Sequence, residues 1–137
     1  QFDPAVTDYH KINIPVITHL ILGLPGETKE DMLSSVRYVG SLPVTGIKLQ
    51  LLHILKGTDL GTAYMADPFP LFTLEEYCDL IADCIALLPP EIVIHRLTGD
   101  GPRNLLLAPL WSTDKKRVLN TIQKCLRERD LWQGKNI

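Results

Sequence analysis

Three histidines, His19, His53 and His95, each lie in an apolar run, and charged or amide side chains stand close to them in the sequence. Three converging imidazoles could ligate a metal, but nothing in their spacing supports that, so hydrogen-bonded core or lumen residues is the simpler reading. Lys48 and Gln50 stand two residues apart and share one face of a strand, where a buried Lys needs a partner. They are either inward-facing polar residues of a wet interior or a structural hydrogen-bonded pair. The segment HRLTGDGPR brings Arg96, Asp100 and Arg103 together with turn glycines. Arg96 or Arg103 could hold a carboxylate or phosphate; alternatively Asp100 pairs with Arg103 to staple the turn.

The cysteines offer less. Cys78 and Cys84 are six apart in a helical segment, turned about 240° from each other around its axis, so they form no clamp. With Cys125 they read as small buried hydrophobes in a reducing compartment, and no metal site is expected in this chain.

A third feature is THLILGLPGET, residues 18–28, an apolar run that ends in Gly23, Pro25 and Gly26 just before a helix. Such glycines permit positive φ and close approach of a ligand to the main chain, or they simply make a tight strand-to-helix turn. The pattern is not a phosphate cradle, because no Lys follows in register.

These residues need a scaffold, and the 137 residues supply one soluble domain: 45% are hydrophobic, 22% charged, and the net charge is −2. That charge argues against a whole-domain footprint for nucleic acid. No apolar stretch reaches the roughly 18 residues of a membrane span and no secretion signal opens the chain, so no membrane association and a cytoplasmic location are expected.

Runs rich in Val, Ile and Leu at 13–22, 46–55 and 91–97 alternate with helical patterns. Thr28 and Thr73 open helices with capping boxes, to 40 and to 88; a short helix falls near 59–65, and 113–129 is an amphipathic helix with Val118, Leu119, Ile122, Cys125 and Leu126 on its apolar side. Strands separated by helices predict an α/β fold with parallel pairing. A closed barrel needs about 250 residues and eight strands, so the pattern reads as part of a parallel (β/α) barrel over 1–100, followed by a helical extension over 101–137. The candidate residues cluster at the carboxyl ends of the strands, where ligands bind in such folds.

HLILGLPGET, IKLQLLHILKGTDL, LPPEIVIHRLTGDGP, LLLAPLW and the terminal LWQGK resemble, in order, the latter half of the radical S-adenosylmethionine (radical SAM) barrel. The likeness is to its YhcC-like subgroup, near the elongator catalytic subunit and the tRNA methylthiotransferases. It implies a S-adenosylmethionine site whose fifth strand carries a G-x-I-x-G-x-x-E pattern against adenine. Ile21 and Gly23 match its Ile and Gly. His19 replaces its first Gly, and Glu27 comes one residue late after the Pro25-Gly26 turn, where it can serve the helix start instead. By the same likeness Leu52 and His53 face the adenine amino edge. Substrate-side candidates are His19, Lys48, Gln50, His95, Arg96, Asp100 and Arg103.

Radical SAM chemistry also requires a 4Fe-4S cluster on a C-x-x-x-C-x-x-C loop, a triplet this chain lacks. The expectation is a fragment of such an enzyme that contributes the adenosyl-side wall, is inactive alone and binds neither cofactor by itself. Its expected partners are the amino-terminal half of the barrel, a second copy through an open strand edge at 13–22, and a substrate that is a tRNA or a small molecule. The rival reading is a non-catalytic α/β binding module.

Overall fold

A computed structural model describes residues 2–99 and 101–137, and side chains from Pro4 onward. The order is α1 (Phe2–Lys11), β1 (Ile17–Leu22), α2 (Lys29–Gly40), β2 (Gly46–Leu51), β3 (Ile54–Leu55), α3 (Asp59–Ala66), α4 (Leu74–Leu87), β4 (Val93–Arg96), β5 (Leu106–Ala108) and α5 (Lys115–Glu128). Short 3-10 turns flank β5 at Arg103–Leu105 and Leu110–Thr113.

β1, β2 and β4 form a parallel sheet in the order β1-β2-β4. β1 pairs in unbroken register from Ile17 opposite Gly46 to Leu22 opposite Leu51. The β2–β4 ladder slips after Ile47, where Lys48 pairs with Arg96 and His95 is the extra residue. Alternation does the sorting. Thr18, Leu22, Ile47, Leu49 and Leu51 are buried against the helices, whereas Ile17, His19, Ile21 and His95 are exposed and Lys48 and Gln50 half-buried on the opposite face.

Both predicted capping boxes form. Thr28 Oγ1 accepts from the Asp31 amide while Asp31 accepts from the Thr28 amide, and Thr73 does the same with Glu76. α4 is the central helix: Tyr77, Cys78, Ile81, Cys84 and Ile85 are all buried. Val118 and Ile122 of α5 and Val6 of α1 join the same cluster, so the ends of the chain share its core. Asp83 of α4 ties the helical layer together, bonding Lys29 at 2.8 Å and Arg129 at 2.5 Å. Burial alone would raise its carboxyl, but those two hydrogen bonds and charges hold it below the ordinary 3.8.

Several sequence expectations need correction. The first strand starts at Ile17, not at 13: Asn13 takes a left-handed φ of 59° and the Ile14 amide bonds back to Tyr9, closing α1. Residues 46–55 are two strands, since the chain leaves the sheet at Leu52 and His53 and β3 pairs antiparallel with β5. The third strand is Val93–Arg96, because a turn with Ile92 N–H donating to Pro89 O occupies its predicted start. The last helix is capped by Asp114 and begins at Lys115, and Leu119, assigned to its apolar side, is 42% exposed. Among the described residues no helix is long and apolar enough to cross a membrane.

Candidate functional site

At the carboxyl ends of β1 and β2, Ile21, Gln50, Leu51, Leu52, His53 and Gly101 line a cavity of about 220 Å³. Parallel register brings Ile21 opposite Gln50, and the exit of the chain after Leu51 turns Leu52 and His53 across the strand ends. Leu52 is held there by its amide, which donates to Leu22 O at 2.9 Å.

His53 is fixed more tightly than the sequence implies. The Gly101 amide donates to its Nδ1 at 3.0 Å, and Nε2 lies 3.0 Å from Ser112 Oγ, which itself donates to Pro109 O at 2.9 Å. With Nδ1 accepting and the Ser112 hydrogen spent on Pro109, Nε2 carries the ring hydrogen and donates it. The pair is therefore a positioning contact: Nε2 has no lone pair with which to take a proton from Ser112. The ring also wedges between two glycines, where a Cβ added at Gly99 would sit 2.1 Å from Nε2 and one at Gly101 2.7 Å from Nδ1.

On the far side of that ring lies a second cavity, of about 320 Å³, lined by His53, Gly99, Gly101, Arg103, Leu106, Ser112, Thr113 and Lys115. Arg103 reaches it from the 3-10 turn before β5, with Nη2 donating to Thr113 O at 2.9 Å. Ser112 and Gly101, which hold the His53 ring and line the cavity, are positions that sequence reasoning missed. The sequence clue was the pair of glycines in TGDGP, legible as a turn but not as a seat for a ring.

The other sequence-predicted positions are spread more widely. Arg96 and His95 line a third cavity, of about 370 Å³, with Lys115. His19 lies on the open sheet face opposite Lys48, and no hydrogen bond joins Lys48 to Gln50. His95 folds back over Gly46, whose added Cβ would be 2.5 Å from Nε2. Asp100 lies outside the described residues.

In the turn, Gly23 has φ +90° and Gly26 φ +81°, as their positions require. The room beside Gly23 belongs to Phe72, whose ring would stand 3.2 Å from an added Cβ; beside Gly26 no described atom lies within 4 Å. Glu27 takes no part in the cap, which Thr28 and Asp31 complete without it. Its Oε1 is instead buried with no hydrogen-bond partner, and burial, then Asp31, pushes its carboxyl above the ordinary 4.5.

Among the described residues no three His, Cys, Asp or Glu side chains are grouped to hold a metal. Cys78 and Cys84 are buried, which pushes both thiols up to about 12, and Cys125 is half-buried and also raised by burial. Thiols so protonated are poor ligands and nucleophiles, so this thiol set does not fit an iron–sulfur cluster.

Residues 44–128 match the Radical_SAM C-terminal domain family. The chain belongs to that family. It is 40% identical over 131 residues to "Uncharacterized protein YtqA" of Bacillus subtilis, covering 96% of this chain and 41% of that protein. It is 36% identical over 115 residues to "Protein YhcC" of Escherichia coli, covering 84% of this chain and 37% of that one. The chain thus spans about two-fifths of the curated relatives it matches. Among solved structures, the archaeal Methanocaldococcus infernus Elp3 with an N-terminal deletion superposes with a TM-score of 0.73 over 94% of this chain and 31% of that one, at 16% identity. That likeness is one of fold. The expected radical SAM relationship and α/β class hold, and the Radical_SAM C-terminal domain accounts for the core from Val44 through α5.

Proposed function

We propose that the chain is the part of a radical SAM iron–sulfur enzyme that supplies the adenosyl-side wall of the S-adenosylmethionine site. The observation that carries this reading is the convergence of Ile21, Gln50, Leu52 and His53 on one cavity at the strands' carboxyl ends. The donor set suits a nucleoside. Ile21, 45% exposed, and Leu52 offer apolar surface to a base, and the Gln50 carboxamide can both donate to and accept from a base edge. Glu27, in the turn after β1, carries a buried oxygen without a partner among the described residues, and this reading assigns it to a ribose hydroxyl. His53, held from both ring nitrogens, keeps the cavity's wall in place.

The cofactor, when bound beside a cluster, supplies reductive cleavage of its carbon–sulfur bond. This chain's residues bind and orient the adenosyl portion, and the cluster's thiolates come from elsewhere in the protein.

The test is titration of the full-length protein that contains this chain with S-adenosylhomocysteine, followed by the amide chemical shifts of this chain's residues. Shifts concentrated at Ile21, Gly23, Leu52, His53 and Gly101, and lost in Ile21→Asp with the remaining spectrum intact, are expected. Scattered shifts, or an undiminished response in Ile21→Asp, would remove the reading and favour a binding module of another kind.

A further inference from the structure

The two cavities at the strand ends share a wall. His53 and Gly101 line both the 220 Å³ cavity and the 320 Å³ cavity, which differ in chemistry. The first mixes the apolar side chains of Ile21, Leu51 and Leu52 with the Gln50 carboxamide, His53 and polar main chain. The second contains Arg103 and Lys115, the charged groups among its described lining residues, with the Ser112 hydroxyl and the main chain of Gly99 and Gly101. Its volume falls in the range of small-molecule sites, roughly 300 to 1,000 Å³.

Arg103 is the informative residue. Its guanidinium uses one N–H on Thr113 O, which fixes the plane of the fork, and four donors remain for another group. A planar fork with parallel N–H groups matches a carboxylate or phosphate, and is more selective than a point charge. Arg96, an equal candidate by sequence, belongs to a different cavity bounded by Ile94, Leu97 and Leu119.

We propose that the Arg103 cavity is a subsite for the carboxylate or phosphate of an anionic small-molecule substrate. Anion capture by Arg103 stands on the cavity alone; its role toward substrate rests on the adenosyl-wall reading above. A substrate anchored at Arg103 rests against the shared His53–Gly101 wall, and its uncharged portion reaches the adenosyl cavity around that wall and not through it. Distance between the anionic group and the reacting carbon then becomes the basis of selection.

The experiment is amide and Arg side-chain NMR of the chain titrated separately with inorganic phosphate and with succinate, at constant ionic strength held by chloride. Saturable shifts at Gly99, Gly101, Arg103 Nε, Ser112 and Thr113 are expected with one or both anions, and the stronger of the two names the group. Arg103→Ala should weaken that binding at least tenfold, Arg103→Lys should restore part of it, and Lys124→Gln, on the outer face of α5, should leave it unchanged.

Equal shifts at Lys116 and Lys124, or the same affinity in a folded Arg103→Ala, would overturn the proposal. So would phosphate binding seen in Asp100→Asn but absent from the unsubstituted chain, because the cations would then serve that carboxylate. Because the probe differs from that of the S-adenosylhomocysteine titration, and the two sets of responding positions share only Gly101, either proposal can fail while the other stands.

Discussion

Glu27 Oε1 is buried and bonds to nothing among the described residues, so its carboxylate is held at a cost to the fold. Burial and Asp31 raise the folded pKa above 4.5, which means the fold binds the proton more tightly than the unfolded chain. The cost is therefore absent well below pH 4.5 and grows as pH rises through the folded pKa. Glu27→Gln is expected to raise stability at pH 7 by on the order of 1 kcal/mol at most, the residue being half-buried, with no gain at pH about 3.5. The same substitution should weaken S-adenosylhomocysteine binding. A thermal melt at the two pH values beside one titration checks both, and a loss of stability at pH 7 would count against this account. Thr18 Oγ1, the other buried side-chain oxygen without a partner, lies among the helix-facing residues of β1, away from the site.

The elements were legible where their determinants are local. Thr28 with Asp31 and Thr73 with Glu76 announce their helices in four residues each, and both boxes form. The alternation in GIKLQL likewise assigns Lys48 and Gln50 to the face away from the helices. What the sequence concealed depends on distant partners. β3 is a strand only because β5, some fifty positions later, pairs with it, and the seat of His53 is built by the same returning segment. Thus Ile21, Gln50, Leu52 and His53, candidates from the sequence, line one cavity, while the contacts of Ser112 and Gly101 to His53 could not be read in advance.

Two element-scale predictions follow from contacts. In the β1–α2 turn, Gly26→Ala should cost about 1 kcal/mol for its left-handed φ alone. Gly23→Ala must also displace the Phe72 ring and should cost on the order of 2 kcal/mol. Denaturant midpoints decide, and equal costs would show that Phe72 yields freely. Asp83 joins α2, α4 and the end of α5, and its lowered pKa contributes stability that is present above pH 3.8 and lost as pH falls through the folded value. Asp83→Asn should lose roughly 1 to 2 kcal/mol at pH 7, and the difference from the parent chain should shrink steadily in acid melts below pH about 4.

At the scale of the whole molecule, one sheet face is open, and among the described strands both outer ones, β1 and β4, pair on one side only. Ile17, Ile21 and Val93 are 43%, 45% and 56% exposed on that face, and Ile12 and Ile14, 63% and 46% exposed, precede β1. β1 ends the sheet, and α1 does not extend it, since its Val6 enters the helical core instead. An unpaired apolar strand edge invites pairing with another chain, and a two-fold arrangement would close after two copies. The chain is expected to dimerise at tens of micromolar through β1. Sedimentation of the parent chain and of Ile17→Lys tests this: a monomeric parent chain, or an unaltered dimer in the variant, would sink it.

The ring of His53 between Gly99 and Gly101 also constrains how such chains can diverge. A methyl at position 99 would fall 2.1 Å from the ring, so a side chain there must drive His53 out of its seat. Shrinking position 53 would relieve that clash at 99 and 101 and would remove the ring that separates the two cavities. A variant with a smaller side chain at 53 would open the two cavities into a single larger chamber, with a different range of molecules to admit.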